Sequence, residues 1–337
     1  MDNLEYRLVR IDETEKIAGL LKNTHSVFDI EFITRFFNPV VSPKSVLFGC
    51  FQNDQLLGLR GLYAYKLFSA GTIKDAATSG FVMTDKSLRG KGMGLKLHEE
   101  STKYCPDYLS SFIDFKLSKK PTPLKSSWTD SCIETYGKCG FHSKQLSETT
   151  PVFRPCKKIL TGGNDTNRPM LRTKRLSIKD SKDIIRFAEN YYSRYPIAEL
   201  PDENSIMQLD LYPDKYHWFS VDHEDKRIGY ISCYQFLFHK DDNIQKQIHF
   251  QHLMVDEAYL ADAVNAVISE LEHLDYESDL YVINNSSILN KEFLKSAGFM
   301  RGFSKFQFFL SYRCEDSFLM DMPDKAVNPL PFSITVI

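Results

Sequence analysis

The feature that most constrains the fold is a repeat: the chain carries one plan twice. Residues 46–63 read VLFGCFQNDQLLGLRGLY, an apolar strand, a polar turn at 52–55 and a second strand carrying Gly58. Residues 218–234 read WFSVDHEDKRIGYISCY, with Asp225 and Gly229 standing 171 positions beyond Asp54 and Gly58. The same offset relates Met83-Thr84-Asp85 to Met254-Val255-Asp256, so register is kept through three strands. Further on, ETYGKCGF at 134–141 matches EFLKSAGF at 292–299 with an offset of 158, so the second copy is 13 residues shorter between these landmarks. Each copy also opens alike, with YRLVR at 6–10 and LRTKR at 171–175 leading into helix-like segments. Self-similarity on this scale restricts the fold to two versions of one domain.

The length agrees, since 337 residues exceed what one core usually supports and suggest two domains of about 150 each. We expect a first domain over 1–155, a linker over 156–169, a second domain over 170–312 and a tail over 313–337. The linker assignment rests on turn chemistry, Thr-Gly-Gly-Asn-Asp-Thr-Asn between Pro155 and Pro169. Within each copy the order is strand, helices, hairpin, strand, helix, strand, helix and a last strand pair. The segments 110–115 and 280–283 are short and nearly continuous in apolar residues, as buried strands are. That alternation predicts an α/β domain with a mixed sheet.

Composition excludes several classes of function. With 42% hydrophobic and 26% charged residues and a net charge of −2, the chain offers no electrostatic case for nucleic acid. The opening MDNLEYR lacks the apolar stretch of a secretory signal and no apolar run approaches a membrane span, so we expect a cytoplasmic protein with no membrane partner. Seven cysteines, at 50, 105, 132, 139, 156, 233 and 314, include no C-x-x-C pair, which argues against a disulfide framework and a zinc cluster. No metal is expected. His249 and His252 stand three apart in a strand-like segment, on opposite faces, which does not make a metal pair.

The chemistry concentrates at 80–104. A strand, Gly80 through Thr84, runs into a polar turn and then Arg89-Gly90-Lys91-Gly92-Met93-Gly94, followed by a helix with Met93, Leu97 and Tyr104 at helical spacing. Glycines let the backbone approach a ligand closely, and free N–H groups at a helix start favour an anion such as a pyrophosphate. Arg89 and Lys91 add positive charge. A P-loop would end in Gly-Lys-Ser/Thr and a Rossmann fingerprint would read Gly-x-Gly-x-x-Gly; neither is present here.

These residues resemble the GNAT superfamily of N-acetyltransferases. Its signature, Arg/Gln-x-x-Gly-x-Gly/Ala after a strand and turn, is matched by Arg89 through Gly94, and its later landmark, a helical Tyr with Gly-Phe four residues on, by Tyr136, Gly140 and Phe141. The resemblance covers about residues 4–155. It implies two tandem GNAT-like domains, each a mixed, mostly antiparallel twisted sheet flanked by helices. It further implies acetyl-CoA or another acyl-CoA bound in a V-shaped opening between the strand ending near Thr84 and the parallel strand at 110–115. The pantetheine arm would pair with the backbone of Val82, Met83 and Thr84, and the pyrophosphate would take the amides of Arg89, Gly90, Lys91, Gly92, Met93 and Gly94. Chemistry would be direct attack of a primary amine on the thioester, most simply that of a small molecule.

By the same resemblance Tyr136 is the candidate acid that protonates the departing thiolate. The competing reading is a core tyrosine, because Cys132, Tyr136 and Cys139 share a helix face. Asp75 and Asp114, on strands beside the opening, are candidate bases, with a water relay or a plain ion-pair role as the alternatives. Lys116, Lys119, Lys120 and Lys125 cluster after the second cofactor strand, either near the ribose phosphate or as a solvated loop.

The second copy has Leu260 where the first has Arg89, Ala263 for Gly92, Asn265 for Gly94 and Leu294 for Tyr136. It is therefore expected to bind no CoA, and to shape an acceptor cleft instead. Competing functions are acetylation of a protein lysine or N-terminal amine, a noncatalytic acyl-CoA-binding module, and a structural protein with a fortuitous glycine loop. An oligomer is compatible with the sequence.

Overall fold

The computed structural model describes residues 3–24, 30–69, 71–104, 111–117, 123–156, 171–240, 243–284, 289–302 and 306–313. The first copy runs β1 (Glu5–Val9), α1 (Thr14–Thr24), α2 (Ile30–Phe36), β2 (Val46–Gln52), β3 (Gln55–Ser69), β4 (Thr72–Thr84), α3 (Met93–Tyr104), β5 (Ser111–Leu117), α4 (Pro123–Lys138) and β6 (Phe141–Thr149). After it come β7 (Val152–Pro155), β8 (Leu171–Arg175), α5 (Ser181–Tyr192), β9 (Ile197–Leu200) and the short α6 (Glu203–Ile206) and α7 (Gln208–Leu211). Then follow β10 (Tyr216–His223), β11 (Lys226–Lys240), β12 (Asn243–Val255), α8 (Glu257–His273), β13 (Leu280–Ile283), α9 (Lys291–Ala297), β14 (Met300–Arg301) and β15 (Phe306–Arg313).

The repeat extends to backbone angles. The β2–β3 turn places Asn53 and Asp54 at φ 50° and 64°, and the β10–β11 turn places Glu224 and Asp225 at 49° and 63°. Two consecutive positive φ values are what a two-residue turn needs to match the twist of its strands. Both hairpins then slip register at equivalent points, between Cys50 and Phe51 and between Val221 and Asp222. Gly140 and Gly298, at φ 84° and 71°, close the helices that precede β6 and β14.

Two mixed sheets result. One has the order β1-β2-β3-β4-β5-β15-β6 and the other β14-β7-β13-β12-β11-β10-β8. The pairs β4–β5 and β12–β13 are parallel, whereas β5–β15 and β13–β7 are antiparallel. Each sheet therefore contains one strand from the far end of the other copy: β7 follows β6 in the chain yet pairs with β13 and β14, and β15 follows β14 yet pairs with β5 across seven residues, 306–312 against 117–111. The described residues divide accordingly into two compact units. The first holds the chain through Glu148, residues Phe238–Asn243 and β15; the second runs from Thr149 to Leu237 and from Ile244 through β14.

A last strand pair within each copy was the expectation, and the observed exchange replaces it. The link between β6 and β7 includes Pro151, which has no N–H to close a turn ladder, and pairing partners are set by which sheet edge needs covering, a nonlocal matter. The expected linker, 156–169, and the expected tail, 313–337, lie outside the described residues apart from Cys156 and Arg313.

In the first unit α1 and α2 bury Ile17, Leu20, Leu21, Ile33 and Phe37 against Leu47, Phe51, Leu59 and Met83 of the sheet. In the second, α8 buries Leu260, Ala263, Val264, Val267, Ile268 and Leu271 against Phe219, Ile231, Phe250 and Tyr281. Burial of each large aliphatic side chain contributes about 1.5–3 kcal/mol, which is why these three helices lie as they do.

Candidate functional site

The opening between β4 and β5 is built by a short pairing and a bulge. Parallel registry joins Ala76, Ala77 and Thr78 to Ser111, Phe112 and Ile113, after which β4 continues to Thr84 and β5 to Leu117 with no shared register among the described residues. On the other side of β4 the ladder passes from Leu59↔Met83 to Gly61↔Gly80, leaving Arg60 on one strand and Phe81 and Val82 on the other unpaired. Such a bulge bends a strand away from its neighbour. Phe81 takes φ 54° there, a strained value for an aromatic residue, held by ring contacts to Phe37 at 5.4 Å and Phe32 at 5.8 Å. Gly61 allows this packing, because a Cβ at that position would lie 2.4 Å from Phe37 Cζ.

The bulge has a consequence for the backbone. Asp85 N–H bonds Leu57 O at 2.8 Å, toward β3, so the peptide groups of Thr84, one residue earlier, face the opening. Val82 is 38% exposed while Met83 is buried. An extended ligand arm would thus find strand-like backbone at 82–84, paired with β3 on one side and with no protein strand in register on the side of the opening among the described residues.

Next comes the loop. Asp85 caps a 3₁₀ turn at Lys86–Leu88, its carboxylate accepting from Ser87 N–H at 2.9 Å, Ser87 Oγ at 2.7 Å and Asn23 Nδ2 at 3.3 Å. Those hydrogen bonds, Ser87's first, hold Asp85 below the usual carboxylate range. Arg89 is extended, Gly90 and Gly92 take φ 74° and 75°, and α3 starts at Met93. The first bond into the helix runs from Lys96 N–H to Gly92 O at 3.0 Å, so helix geometry leaves the amides of Met93, Gly94 and Leu95 without intrahelical partners. No acidic side chain stands in this first turn. Arg89 is tethered by its guanidinium to Thr24 O at 3.2 Å and Thr84 O at 3.5 Å, and Lys91 is exposed. An anion of pyrophosphate size would meet amides, a helix dipole and exposed cations together. Met93 and Leu97 pin this helix start, buried against Phe48 and Cys50, while Tyr104 is 47% exposed.

Tyr136 lies on α4, fully buried, in a cluster with Leu62, Ala64, Ala77 and Phe141. Its ring is edge-on to His98 at 4.8 Å and Phe141 at 6.0 Å, and its hydroxyl accepts a bond from Arg60 Nη2 at 2.9 Å. Ala77 is where the β4–β5 pairing is about to end, so Tyr136 packs at the root of the opening. Asp75 is ion-paired with Lys44 at 2.5 Å and Lys66 at 2.9 Å. Burial pushes its carboxyl up, but the two lysine hydrogen bonds outweigh burial and hold it below the usual range. Asp114 lies on β5 opposite Phe309 of β15. Its side chain, like those of Lys116, Lys119, Lys120 and Lys125, is outside the described residues.

The second unit handles the same positions differently. Helix α8 begins at Glu257, directly after β12, and Asp256 caps it by accepting from Ala258 N–H at 3.2 Å. What is loop at 86–92 in the first copy is helix at 257–263 here, with Leu260 and Ala263 buried. Asn265 bonds Arg154 at 2.6 Å. The carbonyls of Leu253 and Val255, which correspond to Val82 and Thr84, both accept from the Tyr191 hydroxyl, at 3.3 and 3.0 Å. Cap, loop and strand edge are each satisfied from within. His249 and His252 also take separate partners, Gln247 and Asn284 for one and Tyr192 for the other. Among the described residues no cluster fit to hold a metal ion is found, and no helix is long and apolar enough to cross a membrane.

Arg60, His98 and Tyr191 were not anticipated from the sequence. A signal for Arg60 existed, an arginine inside the apolar strand LLGLRGLYA where the other copy has Ile231.

The fold is that of the GNAT and N-myristoyltransferase structures. The chain is similar to Saccharomyces cerevisiae N-myristoyltransferase with bound myristoyl-CoA and inhibitors, at a TM-score of 0.62 and 16% identity over 92% of this chain and 80% of that one. It is also similar to GCN5-related N-acetyltransferases from Kribbella flavida (TM-score 0.53, 10% identity, 91% and 70% covered) and Anabaena variabilis (0.53, 12%, 91% and 72%). No protein-family model matches the sequence, and no curated protein matches it.

Proposed function

We propose that the chain is an acyl-CoA-dependent N-acyltransferase whose first unit binds the cofactor, the acyl group passing directly to a primary amine. The observation that carries this reading is the junction of the β4–β5 opening with the glycine loop: strand-like backbone at 82–84 runs into free amides at the start of α3. An extended arm ending in a pyrophosphate has that shape and polarity. In this reading Val82, Met83 and Thr84 pair with the pantetheine arm, and Arg89, Gly90, Lys91, Gly92, Met93 and Gly94 surround the pyrophosphate.

The amides of Phe81 and Val82, taken out of the ladder by the bulge, are the donors best placed to polarise the thioester carbonyl. The amine nitrogen then attacks the carbonyl carbon, the carbon–sulfur bond breaks, and Tyr136 gives its proton to the thiolate. Asp75, holding two lysines, is a poor proton acceptor, so the amine proton leaves through Asp114 or water. Acetyl-CoA and a small amine are the proposed substrates. The second reading, a longer acyl chain delivered to a protein amine, is favoured by the higher TM-score of the N-myristoyltransferase likeness and by the cofactor it holds.

Release of free CoA thiol tests both readings, with acetyl-, octanoyl- and myristoyl-CoA against a panel of small amines and an N-terminal peptide. Turnover of acetyl-CoA with a small amine is the expected result. Turnover of only long acyl groups with peptide supports the second reading, and tight CoA binding without turnover on any amine marks a binding module.

A further inference from the structure

Arg60 is a cation in the protein interior with neutral company. It sits in the β3–β4 bulge and is 0% exposed. Its Nε donates to Ser79 Oγ at 2.9 Å, Nη1 to His98 O at 3.1 Å, Thr102 Oγ1 at 3.1 Å and Ser101 Oγ, and Nη2 to Tyr136 at 2.9 Å. None of these partners is charged. A guanidinium is never neutral in a protein, and a buried one ordinarily faces a carboxylate, because uncompensated desolvation is costly. The adjoining imidazole of His98 stays neutral, pushed down to about 2 by burial and then by the charge of Arg60.

The other copy shows that the fold does not require this cation. Arg60 stands opposite Phe48 in the β2–β3 register, and Ile231 stands opposite Phe219 in the β10–β11 register, both pairs 171 positions apart. Phe250 occupies the place of Ser79 and Leu294 that of Tyr136, giving an apolar core. Arginine, serine and tyrosine thus occur together in the unit that has the glycine loop, and are absent together from the unit that lacks it.

We propose that Arg60 is a positioning residue for acyl transfer, fixing the Tyr136 hydroxyl and stabilising its phenolate as the proton passes to the CoA thiolate. This rests on the acyltransferase reading above. Because the guanidinium occupies one lone pair of the phenol oxygen, the O–H turns away from Arg60, and the charge left by proton loss is balanced in place. The phenol is restored by the proton that the amine sheds on becoming an amide, carried back through Asp114 or water, so the cycle closes without another reactant.

A double-mutant cycle tests the proposal, with kcat measured for wild type, Arg60→Met, Tyr136→Phe and the double variant. Arg60→Met is expected to lower kcat more than tenfold with the Kd for acetyl-CoA within twofold, and to lower it less than twofold when Tyr136 is already phenylalanine. An equal loss in both backgrounds overturns the proposal. Arg60→Gln, which keeps donors and drops the charge, serves if the methionine variant does not fold, with the same losses expected. A measurement independent of turnover uses ¹³Cζ-tyrosine, the Tyr136 resonance being identified by its absence in Tyr136→Phe. That resonance should reach its phenolate position at higher pH in Arg60→Gln than in wild type, and the same pH in both would refute the pairing. If wild type acylates no amine, the acyltransferase reading fails, and the resonance alone decides whether Arg60 governs Tyr136.

Discussion

The N–H of Lys96 donates to the carbonyl of Gly92 at 3.0 Å, the first hydrogen bond of α3, and the amides of Met93, Gly94 and Leu95 just before it remain available to a ligand. Gly92 holds φ 75°, and a Cβ built there would meet no atom within 4 Å. Gly92→Ala therefore costs only the left-handed backbone, about 1–2 kcal/mol. The loop is expected to relieve that strain by turning its amides, weakening CoA binding roughly tenfold while the melting temperature barely moves. Calorimetric titration with CoA decides it; an unchanged Kd would place the pyrophosphate elsewhere.

Tyr136→Phe should separate chemistry from binding. Loss of a general acid costs about 10²–10⁴ in rate. The same substitution leaves one buried donor of Arg60 unpaired, a loss of about 1–3 kcal/mol in stability. Steady-state kinetics beside a urea melt should show both, with CoA affinity nearly intact. Full activity would return Tyr136 to a purely packing role.

Two buried histidines predict how the protein responds to acid. Burial, then Arg60, pushes His98 down to about 2, and burial pushes His252 down to about 3. In the unfolded chain both titrate near about 6.5. Below that pH the unfolded state binds protons that the folded state refuses, so stability is full above about 6.5 and falls by about 1.4 kcal/mol per pH unit for each histidine. The fall continues until the folded values are reached. Urea midpoints between pH 7.5 and 5 should drop for wild type and drop less steeply for His98→Gln. Parallel curves would mean that His98 takes up its proton as readily in the folded protein as in the unfolded chain.

A fragment ending at residue 155 should not fold stably. It contains the glycine loop and Tyr136 but leaves β5 without β15, and it carries Val152 and Phe153 of β7 without β13 to receive them. Circular dichroism and gel filtration of residues 1–155 are expected to show a loosely folded, self-associating chain. A cooperative melt with CoA binding would show that the exchanged strand is dispensable.

Much of this was legible in the sequence because it is local. The hairpins announced themselves through Asp54 and Asp225 in polar turns with a glycine four residues on, and the loop through Gly90 and Gly92, whose positive φ values glycine alone adopts without cost. The exchange of β7 and β15 was not legible, because pairing between strands so far apart in the chain is set by the sheet edges and not by a local pattern. Arg60 escapes a reading of the sequence for a related reason: a buried charge is recognisable only once its five hydrogen bonds to neutral partners are seen. Tyr191 closing the strand edge of the second unit depends on hydrogen bonds to residues more than 60 positions away, which no short motif encodes.

The exchanged strand also sets an order of events during synthesis. The outer edge of β5 ends at Leu117 and its partner begins at Phe306, 189 positions later. At about 5–20 residues per second a ribosome needs on the order of 10–40 s to supply the missing strand. Throughout that interval the sheet bearing the glycine loop has an open edge, which invites pairing with other nascent chains. The copy without the glycine loop is thus needed before the copy with it can be finished, and a ribosome that stalls between them leaves a chain suited to aggregation or capture by a chaperone.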